Sequence, residues 1–60
     1  MVLELLRSTG DTITVQVVEG RAPLGPDELL YVGGRGAFEV ARREDWDGRV
    51  LLTLAAWPRR

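Results

Sequence analysis

The sequence predicts a mainly β protein, a small antiparallel sheet or barrel of four or five short strands, and three observations predict it. Apolar residues recur at alternate positions through Leu3 and Leu5 and again through Ile13, Val15 and Val17, the period of a strand with one buried face. Glycine-containing turn signals follow the alternating runs, at Ser8-Thr9-Gly10-Asp11, Gly33-Gly34-Arg35-Gly36 and Asp47-Gly48. The closing stretch, Arg49 to Trp57, is apolar on both parities, the pattern of a strand covered on each side.

The first two runs form a β-hairpin. Glu4, Thr12, Thr14 and Gln16 occupy the positions between the apolar ones, and Gly10 supplies the left-handed residue of the turn. A helix over residues 2–7 would be too short to hold itself together. Glu19 to Gly25 is a connector rich in breakers. Pro26-Asp27-Glu28 suits the start of a helical turn, with proline first and acids in the first turn. A short strand over Leu29 to Val32 is preferred, because the tight Gly33–Gly36 turn follows it directly.

Phe38-Glu39-Val40 alternates again, and Arg42 to Gly48 reads as a charged corner ending in Asp-Gly. The rival for this region is an amphipathic helix over Ala37 to Trp46, built from good helix formers and carrying Glu39 and Arg43 as an i,i+4 pair. In the last element Val50, Leu52, Leu54 and Ala56 fall on one parity and Leu51, Ala55 and Trp57 on the other. Sixty residues can scarcely cover both faces, so the sheet curls into a barrel or one face meets another chain.

Composition narrows the chemistry. The chain, at most one domain spanning 1–60, has no cysteine and no histidine, hence no disulfide, no thiolate metal site and no imidazole base. All eight cations are arginine, so no lysine amine serves as nucleophile or acyl acceptor, and nine carboxylates leave the net charge at −1. Abundant Arg, Ala, Gly and Pro, with Lys and Asn absent, is the signature of GC-rich codon usage, as in a high-GC bacterium or its phage; a thermophile avoiding labile residues looks similar. Glu4 and Arg7 interrupt the first apolar run, so no secretion signal is read, and no uncharged stretch is long enough to span a bilayer. A cytoplasmic protein with no membrane partner is expected.

Met1 to Val17 resembles the opening hairpin of ubiquitin-like, β-grasp proteins, with the Thr9-Gly10 turn, the Thr12-Ile13-Thr14 run and Val17 at matching distances. Leu29-Leu30-Tyr31-Val32-Gly33 is similar to that family's third strand and turn, Asp45-Trp46 to its Asp-Tyr corner, and Leu52-Thr53-Leu54 to its closing strand. The family packs its sheet on a helix between the second and third strands, where this chain has only Val18 to Gly25. The resemblance therefore implies an α+β alternative, a reduced β-grasp with one short helix. Conjugating members end in a diglycine and this chain in Trp57-Pro58-Arg59-Arg60, so the resemblance implies an adaptor rather than a conjugated modifier. It also places an aliphatic contact patch at Leu30 and near Leu54, with Ser8 where an aliphatic residue is expected.

No motif assembles an enzyme. Glu44, Asp45 and Asp47 lie close in sequence, but a calcium loop opening at Asp45 needs a distal glutamate where Ala56 stands. Gly33-Gly34-Arg35-Gly36 lacks the Lys-Ser/Thr and helix of a phosphate cradle. No cofactor and no metal are expected. The preferred reading is a non-enzymatic protein-interaction module, a small accessory or adaptor protein that binds a partner or a second copy of itself. Its expected contact residues are Leu6, Leu30, Leu54 and Trp57, because exposed apolar groups on both sheet faces mark an association surface. Arg42, Arg43 and Trp46 form a secondary rim. They also carry the alternative, a small β-barrel that binds nucleic acid through arginine and aromatic side chains.

Overall fold

The computed structural model describes residues 1–22 and 25–58. Five strands, β1 (Val2–Thr9), β2 (Thr12–Glu19), β3 (Leu29–Val32), β4 (Gly36–Trp46) and β5 (Arg49–Ala56), make one sheet in the order β1-β2-β5-β4-β3. Every neighbouring pair is antiparallel. No helix occurs among the described residues, so the chain is mainly β and the α+β alternative does not hold.

The first hairpin turns at Gly10, whose φ of 58° is the left-handed backbone the turn needs, and Thr9 faces Thr12 across it. β3 has the bounds its flanking turn signals predict. Its ladder to β4 extends one step further, because the Asp27 N–H donates to the Val40 carbonyl (2.9 Å) and the Val40 N–H to the Glu28 carbonyl (2.8 Å). Pro26-Asp27-Glu28 accordingly leads into this strand instead of starting a helical turn. Pro23 and Leu24 of the connector, and the Arg59-Arg60 pair, lie outside the described residues.

Two expectations for residues 37–48 are corrected. The chain is neither helical over Ala37 to Trp46 nor a corner from Arg42 onward; β4 runs unbroken in assignment to Trp46. Only Asp47 and Gly48 turn, with φ of 50° and 73°, and Trp46 pairs with Arg49 around them. Two left-handed residues between paired strands match the right-handed twist of the hairpin, which is why Asp-Gly serves there.

The core lies on one face of this single sheet. Ile13 and Val15 from β2, Phe38 and Val40 from β4, and Leu52 and Leu54 from β5 are buried, with Leu3, Leu30 and Val32 from the outer strands packed against them. One sheet buries a face only by curling, and bulges sharpen that curl. Leu6 is left over between the pairs Leu5–Val15 and Arg7–Thr14, and Ala41 between Val40–Leu54 and Arg42–Thr53. β5 sits in the middle, as its apolar pattern predicts. No helix among the described residues is long and apolar enough to cross a membrane.

Candidate functional site

The expected contact residues separate. Leu54 is fully buried at 0% exposure, between Ile13 and Val40 in its row, and so moves from the contact surface to the core. Leu30 faces inward opposite Phe38 and is half-buried. Leu6 is exposed on β1, and Trp57 follows β5, its N–H donating to the Ala37 carbonyl. The outer parity of the closing strand is partly covered, with Trp57 still 44% exposed. Leu51 is half-buried between Gln16 and Glu44, and Ala55 between Thr12 and Glu39, because a central strand has neighbouring side chains on both flanks.

The rim residues do not make one basic patch. Arg42 pairs with Thr53 and Arg43 with Leu52, so the two guanidinium groups leave opposite faces of β4. Each meets a carboxylate two residues on, which in a strand is the same face. Arg42 Nε lies 3.1 Å from Glu44 Oε1 on the outer face. Arg43 donates from Nε to Asp45 Oδ1 (2.9 Å) and from Nη2 to Asp45 Oδ2 (3.3 Å) on the inner face. Glu44 and Asp45 therefore diverge, and no group of three potential metal ligands converges among the described residues. Trp46 stands exposed on the outer face beside Arg49.

The hydrogen bonds from Arg43 hold the Asp45 carboxyl below its ordinary range, against a smaller opposing effect of desolvation. The same contact raises the pKa of Arg43, with Coulomb attraction to Asp45 and Glu28 adding to it. A carboxyl whose folded pKa lies below its unfolded value stabilises the fold above that unfolded value, near pH 4, and loses the contribution as pH falls through the folded one. Asp45→Asn should therefore lower the melting temperature slightly at neutral pH and converge with the parent chain in acid. A gap between the two melting curves that stays constant down to about pH 2 would contradict this.

Exposed apolar side chains gather at the two edges of the sheet. Met1, Val2, Leu5, Leu6, Leu29 and Tyr31, most of the large apolar groups left exposed, belong to β1, to the residue before it, or to β3. Leu5 is the informative one. It sits opposite Val15 and shares its inward face, yet Val15 is 2% exposed and Leu5 43%. The curl thus fails to close over β1. No Cα atom of β1 comes within 8 Å of one in β3. Between them runs a groove of about 440 Å³, lined by Met1, Leu3, Leu30, Tyr31, Val32 and Gly33. Gly20 passes close to Met1, the first of the lining residues, and a Cβ there would stand 2.7 Å from the Met1 Cα.

The contact residues expected from the sequence include Leu30 and Leu6 and omit Leu5, Leu29 and Tyr31, which the structure leaves exposed. Their exposure follows from which strands end the sheet, and no local pattern carries that. The chain matches no family model, no curated protein and no solved structure.

Proposed function

We propose that this chain is a non-enzymatic protein-interaction module, a small cytoplasmic accessory or adaptor protein. The observation that carries the reading is the gathering of exposed apolar side chains on the two edge strands, around a groove that opens onto the core. Exposed large apolar side chains on the two edge strands are of the kind a partner covers, since exposed apolar surface marks association. Against a nucleic-acid role stand the opposed directions of Arg42 and Arg43 and the carboxylate beside each, which keep this pair from forming one patch that neutralises phosphates.

The test is capture of the tagged chain from its native host, with and without nuclease, alongside the Leu6→Asp variant. Leu6 is already exposed, so the change leaves the fold intact. A co-purifying protein that survives nuclease and raised salt, and is lost with Leu6→Asp, is the expected result. Loss of everything bound on nuclease treatment, together with tight, salt-sensitive oligonucleotide binding by the purified chain, would replace this reading with the nucleic-acid one.

A further inference from the structure

The groove between β1 and β3 has the form of a missing strand, and we propose that it receives one extended segment of a partner polypeptide, running antiparallel to both. The inference rests on the protein-interaction reading and names the partner's conformation.

Strand direction carries the argument. Four successive antiparallel pairings, β1 to β2 to β5 to β4 to β3, leave β1 and β3 pointing the same way. Five strands therefore cannot close an all-antiparallel barrel, and a sixth running the opposite way would pair with both edges at once. Adjacent strands lie about 4.8 Å apart, so edges flanking one absent strand stand about 10 Å apart, in keeping with the separation beyond 8 Å seen here. Among the described residues both edges present unpaired backbone groups, and β3 reads Leu-Leu-Tyr-Val, without the charge or proline that usually blunts an exposed edge. The inward side chains of the segment would cover Leu5 and Leu3 on one side and Leu30 and Val32 on the other.

Charge selects the outward side chains. Glu4 pairs with Gln16 on the outer face of β1 and makes no ion pair among the described residues. Across the groove, Tyr31 pairs with Ala37 on the outer face and is 76% exposed. A basic side chain between them meets a carboxylate and an aromatic ring together. The occupant is thus a segment with apolar residues at alternate positions, arginine or lysine on the other parity, and no proline in the paired stretch. A folded second copy fits less well, because its strands are already paired on at least one side and can extend one edge only.

Selection of a random displayed peptide library on the purified chain tests this. Enriched peptides should alternate apolar and basic residues, and a synthetic peptide of that sequence should shift the amide resonances of Leu3, Leu5, Leu30 and Val32. Leu5→Glu, which places charge on the inward face of β1 two residues from Leu3 of the groove, at an exposed position, should weaken it at least about tenfold, and Arg49→Ala on the outer face should leave it unchanged. Failure to enrich any peptide, or enrichment of peptides lost with Arg49→Ala and kept by Leu5→Glu, overturns the proposal. A dimeric free chain whose β1 and β3 amides are already protected from exchange also overturns it, assigning the groove to a second copy. In these cases host capture still decides the broader reading, which fails only if no protein partner is retained there.

Discussion

Leu52→Ala is expected to leave most of the chain unfolded at 25 °C. Leu52 is 0% exposed in the middle strand, with Val15 beside it on β2 and Arg43 on β4. Truncating a buried leucine costs about 2–5 kcal/mol, the transfer term plus the cavity left behind. A domain of this size holds only about 3–5 kcal/mol in total. Among the described residues there is no second layer to collapse into the gap, since all five strands belong to one sheet. Far-UV circular dichroism with urea titration should show the loss of a cooperative transition.

The adjacent residue is the control. Leu51 points to the outer face between Gln16 and Glu44 and is half-buried, so Leu51→Ala should cost about 1 kcal/mol. Equal damage from the two variants would mean that the faces of β5 are assigned the wrong way round.

What the sequence made legible is what local pattern controls. The first hairpin was readable because alternation and Gly10 agree, and β3 because Leu29–Val32 is bounded by turn residues. The central place of β5 followed from its apolar residues on both parities. The course of β4 was harder. Glu39 and Arg43 are spaced for a helix, and four consecutive charges resemble a solvated corner. The decisive signal was the i,i+2 spacing of Arg42 with Glu44 and Arg43 with Asp45, which joins opposite charges on each face of a strand. The bulge at Ala41 then shifts the parity, so that Arg43 rather than Arg42 follows Val40 onto the inner face. No residue pattern announces that shift. The groove was less accessible still, since it depends on strand order and direction, which join residues far apart in the chain.

Asp47→Pro should be as damaging as the loss of Leu52, by a different route. Asp47 has a φ of 50° and Gly48 of 73°, and the pair joins β4 to β5. Proline is locked near −65°, so the substitution removes the turn itself. The strands it joins hold Phe38, Val40, Leu52 and Leu54, most of the buried core. A backbone conflict of this kind costs about 3 kcal/mol or more, again most of what a chain this short has to lose. Asp47→Asn makes the contrast, because Asn-Gly adopts the same left-handed pair readily and should leave the melting temperature unchanged or slightly raised. Both variants change the charge at residue 47 alike, so a difference between them reports backbone geometry. A folded Asp47→Pro chain with an unaltered melting temperature would show that β4 and β5 pair without this turn.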